Sequence, residues 1–68
     1  MPNEHTIKVA KVFFEARQKQ GLTQVEVAEK AGLHPNAYAK IERGESDPTT
    51  ESLRKLIKAL AIDPSKVL

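Results

Sequence analysis

Residues 24–43 read QVEVAEKAGLHPNAYAKIER, and they divide into two short helices around a tight turn. The first helix spans Gln24–Ala31 and the second Pro35–Glu42, with Gly32-Leu33-His34 between them. Val27 and Ala31 stand on one face of the first, Tyr38 and Ile41 on one face of the second. Leu33 lies between these faces in the turn. Ala28 is small where the second helix would cross the first, and a large side chain there would push the two apart. Gly32 follows the first helix, where a left-handed residue closes a helix and glycine adopts it without steric cost. Two helices at about 90–120° joined by a turn of three to four residues form a helix-turn-helix.

The runs GLTQVEVAEKAG and KIERGESDPT resemble the XRE/Cro-type helix-turn-helix family, which includes the lambdoid phage repressors. The likeness extends from about Val9 to Leu68, nearly the whole chain. It implies an all-α fold, a five-helix lambda-repressor-like DNA-binding domain that usually acts as a homodimer.

The chain has 68 residues, room for one domain, and a domain that small buries only about 60% of its unfolded surface. It has no cysteine, so neither a disulfide framework nor a cysteine metal site is available. The two histidines, His5 and His34, are too few and too far apart in sequence for a metal cluster. No apolar run approaches the roughly 18 residues of a membrane span, and no secretory signal is visible. A soluble cytoplasmic protein is the expectation. The formal charge of +2 permits nucleic-acid binding without demanding it, so a DNA-binding face must concentrate its cations locally.

Residues 1–5 read as a flexible polar arm with no Lys or Arg. The next helix is expected over Thr6–Gln20, capped by Thr6 and closed by Gly21. Val9, Phe13 and Ala16 form its core stripe, and Ile7, Ala10 and Phe14 a second line beside it. That apolar face is broader than one small core needs. Phe14 either packs under the C-terminal segment, the reading we favour, or meets a partner.

Thr23 and Glu26 form a capping box, hydroxyl to amide and carboxylate back to amide. Gln24 then sits on the first turn with its side chain free. The resemblance implies a backbone-phosphate contact there; a solvated Gln is the alternative. His34 departs from the Ser or Thr the family usually has at this cap, while Pro35 suits the first helical position. With Tyr38 and Ile41 inward, the outward side carries Asn36, Ala37 and Lys40, with His34 at its entrance. The resemblance puts these positions in the major groove. Asn can pair bidentately with adenine, Lys can donate to guanine or phosphate, and Ala37 can pack on a thymine methyl. Tyr38 replaces the family's usual Ile or Val, and its hydroxyl needs a partner or solvent.

The resemblance also implies an ion pair between Arg17 and Glu42, fixing two helices relative to one another rather than touching DNA. Gly44 closes the second helix of the motif. Arg43 and the loop Glu45-Ser46-Asp47-Pro48 follow, a loop that lies along the DNA backbone in the family. Arg43 suits that role, whereas Glu45 and Asp47 repel phosphate unless turned away. Thr49 or Thr50 caps the next helix, with Glu51 in its first turn. Leu53, Leu56, Ile57 and Leu60 complete the core, and Arg54, Lys55 and Lys58 line the outer side. Asp63-Pro64 starts a last short helix, Ser65–Leu68, with Val67 inward. Stopping at Leu68 fits either a complete mini-protein or a domain of a longer chain.

These readings point to a sequence-specific DNA-binding transcriptional regulator, a repressor or autoregulator. It would bind a palindromic operator as a homodimer, with the second motif helix in the major groove. Phosphate contacts are expected from Gln24 and Arg43, base contacts from Asn36 and Lys40 and from His34 if it reaches. The resemblance places a dimer patch near Pro64 and Lys66. The alternative is an adaptor or coactivator-like protein-interaction module that keeps the fold without operator reading. No phosphate loop, paired catalytic carboxylates or activated nucleophile is recognisable. Neither enzyme activity, a cofactor, a metal nor a small-molecule substrate is expected.

Overall fold

Asn3 begins the first helix: its Oδ1 accepts the Thr6 amide at 2.9 Å, and helix α1 runs Glu4–Gln20. The computed structural model describes residues 3–67. The expected cap at Thr6 is therefore corrected, and residues 3–5 belong to the capped helix end rather than to an arm. The first two residues of that arm lie outside the described residues. Thr6 is instead buried, and its hydroxyl reaches Asp47 Oδ1 at 2.5 Å and Asn3 Oδ1 at 3.0 Å. One hydroxyl proton serves one acceptor at a time, so Thr6 links the start of α1 to the distant loop.

Helix α2 runs Gln24–Ala31, α3 Pro35–Glu42 and α4 Thr50–Leu60. Thr23 and Glu26 make both bonds of the capping box, at 2.8 and 3.0 Å. Thr49, not Thr50, caps α4 by accepting the Ser52 amide at 3.1 Å. Gly32 has φ +71° and closes α2, with Leu33 N donating to Ala28 O at 2.8 Å. The expected last helix over Ser65–Leu68 is a single 3-10 turn, Pro64–Lys66, capped by Asp63. Leu68 lies outside the described residues. Four α-helices and this turn, with no strand among the described residues, replace the expected five helices. Asp-Pro starts a tight turn as readily as a helix.

The core gathers Val9 and Phe13 of α1, Val27, Ala28 and Ala31 of α2, Tyr38 and Ile41 of α3, and Leu56, Ala59 and Leu60 of α4. Val67 closes it from the final turn. Burying a side chain such as Phe13 or Leu56 stabilises the fold by about 1.5–3 kcal/mol. Phe14 does not pack under the C-terminal segment. It is 44% exposed, and the Arg17 guanidinium lies 5.5 Å from its ring centroid. Ile7 on the same side is 56% exposed.

Ala61 ends α4 with φ +52°, a left-handed residue that carries a Cβ. Such a residue costs about 1–2 kcal/mol in this conformation, while glycine loses more freedom on folding. Ala61→Gly is therefore expected to stabilise the domain by about 0.5–1 kcal/mol. Thermal melting checks it, and a lower Tm would contradict the strain.

Candidate nucleic-acid interface

Helix α3 is eight residues long, too short to persist alone, so its neighbours must hold it. Tyr38 and Ile41 anchor it in the core, and Glu42 is buried beside them. Arg17 Nη2 meets Glu42 Oε1 at 2.6 Å, and Arg17 Nε donates to Oε2 at 2.9 Å. The remaining guanidinium nitrogen, Nη1, donates to Leu22 O at 2.9 Å. Burial pushes the Glu42 carboxyl up, but the Arg17, Tyr38 and Gln24 side chains outweigh it and hold the group below its ordinary value. Burial, then the Glu42 carboxylate, pushes the Tyr38 hydroxyl up.

That hydroxyl is buried with no partner at hydrogen-bonding geometry, although it lies close enough to Glu42 and Arg17 to respond to both. Removing it relieves as much desolvation as it loses in contact. Tyr38→Phe is expected to change stability by less than about 1 kcal/mol in a denaturant titration. A loss above about 2 kcal/mol would show that the hydroxyl is bonded to Glu42 after all.

Gln24 was expected to keep its side chain free, and it does not. Its Nε2 donates to Glu42 Oε1 at 3.3 Å, since the buried carboxylate still has a lone pair to fill. The bond is long, and Gln24 is only partly buried.

The outer side of α3 is open. Asn36, Ala37 and Lys40 are exposed, and His34 stands exposed at the entrance. These four side chains line one cleft of about 380 Å³, whose far wall is Ser46–Thr49 and Ser52. Pro35 occupies the first helical position and Ala39 is partly covered. His34 caps α3 where the family usually has Ser or Thr: its Nδ1 accepts the Asn36 amide at 3.1 Å. An accepting Nδ1 leaves the neutral ring's proton on Nε2, so the capped imidazole offers a donor.

The loop after α3 has two acids, each engaged. Asp47 Oδ1 accepts the Thr6 hydroxyl, while the residue itself stays exposed at the cleft. Glu45 turns onto Arg43, with Arg43 Nε donating to Glu45 Oε2 at 2.5 Å. Sequence reasoning missed the Thr6–Asp47 and Gln20–Leu60 contacts. Gln20 Nε2 donates to Leu60 O at 2.7 Å and ties the end of α1 to the end of α4. Each joins residues more than half the chain apart, and no local pattern marks such a pair. Among the described residues no group of three or more His, Asp or Glu could hold a metal ion, and no helix is long and apolar enough to cross a membrane.

A short, core-anchored helix with one polar edge presented over a cleft is the form of a helix-turn-helix reading head. Residues 14–67 match the helix-turn-helix family HTH_3, and the chain belongs to this XRE-type family of DNA-binding regulators. It is 50% identical over 42 residues to the HTH-type transcriptional regulator ImmR of Bacillus subtilis, covering 62% of this chain and 33% of that protein. It is 38% identical over 56 residues to multiprotein-bridging factor 1 of Candida albicans, covering 82% of this chain and 37% of that protein. The chain thus spans about a third of the length of these curated relatives. Its fold superimposes on a crystal structure of a mutant of the restriction-modification controller protein C.Esp1396I with a TM-score of 0.86. That match has 30% identity and covers 93% of this chain and 82% of the other.

Proposed function

We propose that this chain is a cytoplasmic, sequence-specific DNA-binding regulator that acts as a repressor or autoregulator. It seats α3 in the major groove of a palindromic operator. The observation that carries this reading is the exposed edge of α3, where His34, Asn36, Ala37 and Lys40 face one open cleft. Asn36 and Lys40 read base edges, His34 adds an Nε2–H donor, Ala37 meets a thymine methyl and Pro35 sets the helix start. Arg43 and Gln24 contact phosphates, Arg43 after leaving Glu45 and Gln24 after leaving Glu42.

Size supports a homodimer. The longest dimension of the chain is 26 Å, whereas successive half-sites lie about 34–36 Å apart, so two copies are needed to read both. A groove of about 340 Å³ on the outer side of α4, with Leu53, Ile57 and Pro64 in its floor and Thr50, Arg54 and Lys58 beside them, is the patch we assign to that pairing.

The test is fluorescence anisotropy against the DNA upstream of the gene, beside unrelated DNA, at two salt concentrations. Preferential binding that survives the higher salt is expected. Equal binding that collapses with salt would leave only the phosphate term at that site. Binding to neither DNA would favour a second reading, a protein-interaction module. Exposed Ile7 and Phe14 on α1 and the likeness to a bridging factor support that reading.

A further inference from the structure

Two cations stand in the last turn of α3 and at its cap, Lys40 and Arg43, and one acid is paired with the second. Arg43 Nε donates to Glu45 Oε2 at 2.5 Å, and Arg43 Nη2 lies 3.4 Å from Glu45 Oε1. The Glu45 amide donates to Lys40 O at 2.9 Å, which turns the chain back over the end of the helix. There the carboxylate also feels the Lys40 ammonium; the Arg43 hydrogen bond first, then the Arg43 and Lys40 charges, hold it below its ordinary value. The side chains of Arg43 and Glu45 are 53% and 54% exposed, so the pair lies in solvent. It is not what closes the helix. Backbone bonds from Arg43, Gly44 and Glu45 to Ala39, Ile41 and Lys40 do that without it. Asp47, by contrast, pairs with no cation among the described residues and accepts the Thr6 hydroxyl.

A carboxylate on a guanidinium fork occupies the geometry a phosphate takes there. We propose that Glu45 is an internal stand-in for the DNA phosphate, holding Arg43 until a duplex displaces it. The inference rests on the DNA-binding reading above and says how that site is restrained. Its consequence is ionic. When Arg43 moves from Glu45 to a phosphate, the duplex releases a condensed cation, but the ion pair with Glu45 is given up, and that pair is itself weakened by salt. The exchange therefore depends on salt less steeply than the contact of a free guanidinium would. A small, weakly basic domain thereby avoids holding arbitrary duplex tightly, while the cation remains in place for the operator.

The test compares wild type, Glu45→Gln, Arg43→Gln and the double variant, binding a duplex of arbitrary sequence across a salt series. Glu45→Gln is expected to bind about three- to tenfold more tightly per chain at low salt. Its plot of log affinity against log salt should be steeper, by a part of the roughly 0.9 that one phosphate contact contributes. In the Arg43→Gln background the same change should gain much less. Melting temperatures should coincide, since neither side chain packs in the core. An equal gain in both backgrounds would mean that Glu45 merely repels DNA, and overturns the proposal. An unchanged affinity and slope in Glu45→Gln overturns it too. If no form binds any duplex at low salt, the DNA-binding reading itself fails and this inference with it.

Discussion

Arg17→Met is expected to cost about 3 kcal/mol of stability, because it leaves the Glu42 carboxylate buried without its counter-charge. The two side chains are 13% and 3% exposed, so solvent cannot repair the loss. Glu42→Leu should cost a comparable amount by stranding the guanidinium. The double variant should lose clearly less than the sum, since two apolar side chains strand no charge. In a domain this small, about 3 kcal/mol corresponds to a fall in Tm of roughly 20 °C, readable by circular dichroism melting. Strictly additive losses would mean that the bridge carries no coupling. The sign of the pH dependence follows from the same contacts. Glu42 is held below its ordinary value of 4.5, so its contribution is complete above that pH and disappears as the pH falls through the folded value. Glu42→Gln should flatten the acid limb of the stability curve. A variant curve parallel to wild type below pH 4.5 would remove Glu42 from the account.

The second large effect is on DNA. Asn36→Ala should weaken operator binding by about 1–3 kcal/mol and relax discrimination at one base pair, with little effect on arbitrary duplex. Lys40→Ala should weaken binding to all sequences and lower the salt slope by about 1. The combined variant should lose operator preference in anisotropy titrations while melting within about 0.5 kcal/mol of wild type, because both side chains are exposed. Undiminished operator affinity would remove these two residues from the reading head.

Local signals account for what could be read in advance. Thr23 with Glu26, Gly32 and Pro35 mark the ends of α2 and α3 within a few residues of themselves, and both spans were legible to the residue. Spacing also separated Tyr38 and Ile41 from the Asn36 and Lys40 side. Asn3 and Thr6 are both good cap residues, and the choice between them turns on Asp47, far along the chain. Periodicity showed that α1 has a broad apolar face, but the width of a face does not say how much of it is covered; Phe14 and Ile7 remained exposed. Glu45 was legible as a charge close to phosphate. That it would fold back onto Arg43 depended on the reversal after Gly44, which local spacing does not describe.

Glu42 receives hydrogen bonds from α1 through Arg17 and from α2 through Gln24 while it sits on α3. The angle between α1 and α3 is therefore fixed at one carboxylate on the hidden side of the motif, which α2 reaches by a longer bond. The exposed side of α3 is relieved of that duty. Side chains at positions 36, 37 and 40 can be exchanged without asking the scaffold to refold. Mutation can rewrite what such a domain recognises at almost no cost to whether it folds, so the two properties are free to evolve at different speeds.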